Sequence, residues 1–175
     1  MALMRTGAVL LALACCLCGC ANNSKVFDLV IKGDTKNLRV LVAADPASAN
    51  AVGSFGVRPI MTAVSYRDVE AVRILLAAGA SVRVCDSKSG MGPIQWARSD
   101  IMACTPEYIN VQIEFLKRKL KRKNSPLPQA RFEEQKATFE RLYSEESKKK
   151  LIRIQAMLEE ALVAERAKNQ APGSP

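Results

Sequence analysis

Apolar and polar residues along the middle of the chain follow a helical period, and the pattern itself recurs after 34 residues. The segment Gly56–Ala63, read GVRPIMTA, returns as Gly90–Ala97, read GMGPIQWA. The same offset relates Asp34 to Asp68, and the apolar positions that follow them also agree. Agreement at several positions in one register is typical of repeat proteins, whose units pack mainly on their neighbours. The pattern therefore predicts a stack of similar helical units.

Each unit is predicted to contain two helices joined by a turn. Pro59 and Pro93 suit the first turn of one helix, where a missing N–H costs nothing. Asp68 precedes a second run with apolar residues at helical spacing, and Gly79 suits the end of that run. A short extended arm follows, and Asp86–Gly90 has the composition of a turn. The stripe expected to be buried comprises Val69, Val72, Ile74, Leu75 and Leu76.

These segments resemble the ankyrin repeat family. The family's Gly-x-Thr-Pro-Leu-His-x-Ala corresponds to residues 56–63 and 90–97, and its Leu-Leu-x-x-Gly-Ala-Asp-Val corresponds to Leu75–Val82. The resemblance extends over residues 24–120, with one regular repeat at 57–89 between two degenerate ones. It implies an all-α stack of helix-turn-helix units with short hairpins and a function in binding other proteins.

The two proline segments depart from the family pattern at four positions. Arg58 and Gly92 replace the family's Thr, and Met61 and Gln95 replace its His. The side chains that supply the family's capping hydrogen bonds are therefore absent. We expect these two helices to begin without a side-chain cap.

The units on either side of the regular repeat are less complete. In the first unit, Asp45-Pro46 stands where the family has Gly-Ala, so this unit is interpreted as an N-terminal cap of the stack. In the third unit we expect an insertion, Asp100–Glu107, between the helix that begins at Pro93 and a second helix, Tyr108–Leu120. That second helix carries apolar residues at helical spacing, namely Ile109, Ile113, Leu116 and Leu120.

Residues 20–123 are thus predicted to form the repeat domain, and a helical segment follows it. Two prolines within residues 124–129 predict a linker. Residues 130–168 contain no proline or glycine and predict one long helix or a helical hairpin, with Ser144 as a candidate cap. The apolar stripe of this segment could pack on the last repeat or form a coiled coil with another chain. Residues 169–175 are expected to be disordered.

The N-terminus has the pattern of a secretory signal. Arg5 gives it a basic start, and an apolar run over residues 7–19 follows and ends in small residues. The run is shorter than the apolar stretch of about 20 residues that a membrane-spanning helix requires. We therefore predict that residues 1–19 are a signal peptide that directs export.

The end of this run resembles the lipobox of bacterial lipoproteins. Residues 17–20, read LCGC, fit the family pattern of Leu, a small residue, Gly or Ala, and the lipid-accepting cysteine. The resemblance implies that Cys20 becomes the first residue of the mature chain and carries the lipid that anchors it to a bacterial membrane. Cys18 departs from the usual Ala or Ser, so Cys15 or Cys16 stays an alternative acceptor. Cleavage without lipidation is a further alternative.

The chemistry-bearing residues form no catalytic or metal-binding pattern. The chain contains no histidine, which removes Ser-His and Cys-His nucleophile pairs and most metal sites. Adjacent glutamates such as Glu133-Glu134 point about 100° apart on a helix and do not converge as glycosidase carboxylates must. Cys85 and Cys104 would lie far apart in the ankyrin plan, which disfavours a disulfide. We predict a protein that is not an enzyme and uses no metal, cofactor or small-molecule substrate.

Charge bears on the kind of partner. The formal net charge is +9, which in an exported chain favours an acidic protein, an anionic polymer or acidic lipid rather than nucleic acid. Residues 117–123, the basic run, can be interpreted as the solvated end of a helix or as a patch for an anionic surface. Its cations are Lys117, Arg118, Lys119, Lys121, Arg122 and Lys123.

Ankyrin repeats generally bind proteins through hairpin tips and the inner faces of their first helices, so the resemblance also implies partner contacts. The residues at these positions are Ser54, Arg58, Tyr66, Arg83, Cys85, Asp86, Lys88, Met91, Gln95 and Trp96. Trp96 could equally belong to the core. The expected function is that of a lipid-anchored adaptor or inhibitor of an envelope protein. The alternative is a structural protein that associates with a membrane or an anionic polymer through its basic helix.

Overall fold

Helices account for the regular structure of the chain in the computed structural model, which describes residues 24–121 and 128–170. No β-strand occurs within these two ranges, and the predicted all-α class is confirmed. The helices are α1 (24–32), α2 (Thr35–Ala44), α3 (Pro59–Ser65), α4 (Val69–Ala77), α5 (Pro93–Ala103), α6 (Pro106–Leu120), α7 (Gln129–Leu142) and α8 (Glu145–Gln170). Two short 3₁₀ turns, Pro46–Asn50 and Ser54–Gly56, lie between α2 and α3.

The helices form two layers around one core. Helices α3 and α5 pack side by side in the inner layer, and α1 holds the equivalent sequence position in the first unit. Helices α2, α4 and α8 pack in sequence along the outer layer, while α3 packs on α4 and α5 packs on α8. The core between the layers draws on every unit, including Val30, Leu38, Ile60, Leu75 and Leu158.

The helix boundaries of the regular repeat follow from local chemistry. The Asp68 carboxylate accepts hydrogen bonds from the backbone N–H groups of Glu70 and Ala71, at 3.0 and 2.9 Å, and so caps α4. At the other end Gly79 takes φ 84°, and the N–H of Ala80 returns to the Leu75 carbonyl at 2.9 Å. The predicted start and end of this helix are confirmed.

The inner helices begin as the departures from the family pattern predict. Pro59 and Pro93 occupy the first turns of α3 and α5, and neither helix has a side-chain capping hydrogen bond. Glycine at position 92 has a packing reason, because a Cβ there would lie 2.8 Å from the Val84 carbonyl oxygen. Arg58 donates instead to the carbonyl of Asn50, which ties α3 to the preceding loop.

The predicted insertion Asp100–Glu107 is wrong, because helix continues through most of it. Helix α5 extends to Ala103, and α6 already begins at Pro106. Thr105 caps α6 by accepting the N–H of Tyr108 at 3.2 Å, and Pro106 fills the first turn. A threonine followed by proline is a helix start, so only a short break separates the two helices.

The second helix of the third repeat is also not the one predicted from the sequence. Helix α8, rather than Tyr108–Leu120, packs on both α4 and α5 and takes the outer position. Its Leu151, Ile154 and Leu158 are fully buried in the common core. Leu116 of α6 is buried too, but with Phe132 it lies outside that core, in the contact between α6 and α7. The α6–α7 pair is therefore inserted between the two helices of the third repeat.

The C-terminal segment packs on its own chain, which settles the alternative left open by its apolar stripe. It consists of two helices, and Ser144 caps the second by accepting the N–H of Ser147 at 3.2 Å. Helix α8 continues to Gln170, so residues 169–170 are helical and not part of a disordered tail. No helix within the two described ranges combines the length and the apolar character needed to cross a membrane.

Several predictions fall outside the described residues. These are the signal peptide, the lipid acceptor Cys20, the cations Arg122 and Lys123, linker residues 124–127 and the tail beyond residue 170.

Candidate protein-interaction surface

The turn after α4 is organised around one carboxylate. Asp86 is only 4% exposed and accepts the backbone N–H groups of Lys88 and Ser89, at 2.9 and 2.6 Å, together with the Ser89 hydroxyl. These bonds, that of the Ser89 side chain first, hold the pKa of Asp86 below its ordinary value. Asp86 is thus an internal hydrogen-bond acceptor of the turn, and little of its side chain is left exposed to contact a partner. An aspartate in a turn has the same sequence signature whether it binds a partner or its own backbone.

Trp96 supports the same turn. Its indole Nε1 donates to Asp86 at 3.3 Å, and its half-buried ring packs against the core. Arg58 is half-buried as well, with its guanidinium directed to the Asn50 carbonyl. Both side chains therefore stabilise the turns from their inner side and contribute little exposed surface.

The exposed hairpin surface consists of side chains that the turn leaves free to face outward. The N–H of Ser87 donates to the Phe55 carbonyl at 2.7 Å, so the first loop and the next hairpin lie side by side. Of the residues predicted to contact a partner, the exposed ones in this region are Ser54, Arg83, Cys85, Lys88, Met91 and Gln95. Arg83 lies toward the outer layer, with its Nε 3.9 Å from a carboxylate oxygen of Glu165 in α8.

Two apolar residues of this surface were missed in the sequence. Phe55 is 68% exposed at the tip of the first loop and takes φ 57°, and Val52 beside it is also exposed. They line an apolar groove of 640 Å³ together with Phe27. The available signal was the run Gly53–Gly56, in which a large aromatic residue stands between turn formers. Exposed aromatic residues of this kind are enriched at protein interfaces.

Tyr66 is not part of the hairpin surface. It caps the C-terminal end of α3, whereas Arg58 precedes the first turn of that helix. Eight residue steps separate Arg58 from Tyr66, which places the two about 12 Å apart along the helix axis. Tyr66 is 54% exposed and belongs to a different part of the molecule, beside α7 and α8.

The described cations of the basic run lie at the C-terminal end of α6. Lys117, Arg118, Lys119 and Lys121 are exposed. Lys117 pairs with Glu114 at 2.6 Å, and the Lys119 ammonium lies 4.7 Å from the centre of the Phe115 ring. Their position in the last turn complements the helix dipole, and it also leaves their charges available to solvent.

The remaining candidate groups are separate from one another. Cys85 is exposed, Cys104 is buried, and both are free thiols. Burial raises the pKa of the Cys104 thiol above its ordinary value. Across residues 24–121 and 128–170, no group of three or more Cys, Asp or Glu side chains is arranged to hold a metal ion.

Repeated helix pairs, a shared core and protruding turns define this molecule as a helical repeat protein. Residues 41–89 match the family of ankyrin repeats (many copies), which supports an ankyrin repeat protein. The matched segment includes the regular repeat, residues 57–89, and most of its exposed turn. A comparison with curated proteins found no match. Ankyrin repeats indicate a protein–protein interaction module, and the family is generally a non-enzymatic scaffold.

Proposed function

We propose that this chain is an exported ankyrin-repeat adaptor or inhibitor, anchored to a bacterial membrane through a lipid on Cys20, that binds a protein of the cell envelope. The observation that carries the proposal is the exposed hairpin surface, most of which lies within residues 41–89, the segment that matches ankyrin repeats. Phe55 and Met91 supply exposed apolar area there, and Lys88 supplies positive charge. This combination suits a partner with an apolar patch bordered by acidic residues.

The position of the lipid acceptor fits this function. Cys20 precedes the start of α1 at residue 24 by four residues, which span about 14 Å when fully extended. An anchor at Cys20 would hold the first repeat close to the bilayer surface. The partner would then be a membrane protein or a protein that reaches the membrane.

Site-specific photo-crosslinking tests the binding surface. A photoreactive amino acid at Lys88 or Met91 should give one discrete crosslinked product in cells, because both positions are exposed at the hairpins. The control positions are Val40 and Val163, which are exposed on the outer helices α2 and α8, away from the hairpins. The proposal fails if the outer positions yield the same product, or if none of the four positions yields one.

Lipid attachment requires its own measurement. Cys20→Ser should leave the precursor unprocessed and unlabelled by radioactive palmitate. Labelling that persists in this variant would move the acceptor to Cys15 or Cys16. Wild-type chain that is processed but never labelled would mean a signal peptide cut without lipidation.

A second candidate function, association with an anionic surface through the basic run, is favoured by one specific observation. Val111 and Phe115 are exposed on the same helix as the cations, and Lys119 lies over the Phe115 ring. Helix faces that combine basic and apolar side chains bind acidic lipid interfaces. Neutralising the basic run should then abolish sedimentation of the unlipidated chain with acidic vesicles, and added salt should do the same. Unchanged sedimentation would exclude this function.

A further inference from the structure

A groove of 480 Å³ lies at the end of α3 that is opposite the hairpins. We call it the Tyr66 groove, after the exposed aromatic residue on its edge. Three cations line it, namely Arg67 from the turn after α3, Arg141 from the end of α7 and Lys150 from the start of α8. No carboxylate is among its lining residues. Three separate segments of the chain thus bring positive charge to one concave surface.

Arg67 lies in the deep part of this groove, and its backbone conformation is strained. It has φ 55°, a left-handed conformation that is unfavourable for any residue with a Cβ. The equivalent residue of the first repeat is Gly33, with φ 67°, which adopts this conformation freely. The side chain of Arg67 is only 7% exposed and its Nε has no hydrogen-bond partner. An arginine at this position therefore needs a reason in its side-chain contacts.

Part of that reason is structural. Arg67 donates to the Ser65 carbonyl at 2.9 Å, pairs with Asp100 of α5 at 3.2 Å and lies 5.4 Å from the centre of the Tyr143 ring. These contacts fasten the turn after α3 to the third repeat and to the junction of α7 and α8. They fix a cation at the base of the groove, where Asp100 compensates part of its charge.

The other two cations are free to reach a ligand. Arg141 is exposed and takes part in none of the ion pairs of the described residues. Lys150 pairs with Glu146 at 2.9 Å, but both side chains are at least half exposed, and such pairs contribute only about 0 to 1 kcal/mol. Counting Asp100 and Glu146 against the three cations, the groove keeps an excess positive charge.

We propose that the Tyr66 groove binds an acidic peptide segment of a protein partner. Arg141 presents a planar guanidinium that matches a carboxylate, Lys150 adds a second cation, and the Tyr66 ring offers an apolar surface to the segment. The proposal extends the protein-binding function and assigns a second contact, separated from the hairpins by the length of α3, about 10 Å.

The backbone around the groove favours a peptide over a free phosphate ion. Phosphate sites at helix N-termini use the free N–H groups of the first turn. At the start of α8, Ser144 already accepts the N–H of Ser147 with its hydroxyl, at 3.2 Å, and the N–H of Lys148 with its carbonyl, at 2.9 Å. The groove therefore offers an anion its charged side chains rather than free backbone N–H groups. Cations spread over an open surface suit the carboxylates of an acidic peptide.

Fluorescence anisotropy with two labelled peptides tests the proposal, using the chain purified in a neutral detergent. Hexaglutamate should bind, and hexaglutamine should not. The double variant Arg141→Ala, Lys150→Ala should weaken hexaglutamate binding about tenfold. The matched control Lys149→Ala, Arg153→Ala removes the same charge from exposed positions of α8 outside the groove and should change binding less than about twofold.

Each alternative outcome is distinct. Equal losses in the two double variants would mean general attraction to a cationic protein and would overturn the proposal. Equal binding of the two peptides would also overturn it. So would full displacement of hexaglutamate by inorganic phosphate, when the phosphate supplies the same concentration of negative charge as the peptide. The hairpin crosslinks are measured independently of peptide binding. Their absence would contradict the proposed function and leave the groove proposal standing. Absence of specific hexaglutamate binding would contradict the groove proposal and leave the proposed function standing.

Discussion

Replacing Leu158 tests whether α8 is a true member of the repeat stack. Leu158 is fully buried in the same core as Leu75 of the regular repeat. Truncating a fully buried leucine to alanine costs about 3 to 5 kcal/mol, from lost transfer free energy and the cavity that remains. Leu158→Ala and Leu75→Ala should therefore destabilise the chain by similar amounts, although the two residues are far apart in sequence.

Val163 supplies the control on the same helix. Its side chain is 65% exposed, so Val163→Ala leaves the helix intact and removes little buried area. We expect a change under about 0.5 kcal/mol. The measurement is urea unfolding followed by far-ultraviolet circular dichroism, with the free energy of unfolding taken from the midpoint and slope.

The packing of α8 on the repeats also predicts the shape of the urea unfolding curves. If α8 belongs to the stack, the Leu158 and Leu75 variants should each lose the stacked helices in one transition, because those helices share one core. A loss below about 1 kcal/mol for Leu158→Ala beside a full loss for Leu75→Ala would refute the placement of α8. An early, separate transition in the Leu158 variant would refute it as well.

Two further substitutions probe the turns. Asp86→Asn should destabilise the hairpin at neutral pH, and the difference from wild type should shrink as pH falls below about 4, because a carboxylate with a lowered pKa stabilises the fold only while ionised; unfolding midpoints between pH 2 and 7 measure this, and a difference independent of pH would contradict it. The Arg67→Gly variant should be more stable than Arg67→Ala by about 1 kcal/mol, because both lose the side chain but only glycine adopts the left-handed backbone without strain. Urea unfolding compares the two variants, and an alanine variant of equal or greater stability would contradict backbone strain at this position.

The regular repeat could be predicted from the sequence because local chemistry determines it. The offset of 34 residues gives the length of the repeat. Asp68 marks the start of α4 and Gly79 marks its end, and both agree with the structure. The start of α6 is equally local, because Thr105-Pro106 is a helix start signal. Such features depend on a few neighbouring residues, so they can be identified without knowledge of the fold.

The placement of α8 could not be predicted in the same way. Helical spacing shows that a segment has an apolar face, but it does not identify the surface that will cover that face. Both α6 and α8 are amphipathic, and only packing shows that Leu151, Ile154 and Leu158 complete the third repeat. The same limit applies to Asp86 and Arg67, whose roles depend on burial and backbone angles. The Tyr66 groove combines three segments and has no counterpart in any local pattern.

The inserted α6–α7 pair explains how the chain can carry separate surfaces on one stack. The rings of Tyr108, near the start of α6, and Tyr143, just after α7, lie 5.2 Å apart, so the inserted pair leaves and re-enters the stack at nearly the same place. An insertion whose ends meet can project from the stack without separating α5 from α8. The described cations of the basic run, residues 117–121, lie at the far end of α6, about 14 to 20 Å along the helix from Tyr108. Changes to the basic run should therefore leave the core and the hairpin surface undisturbed, which allows the two candidate functions to be tested independently in one molecule.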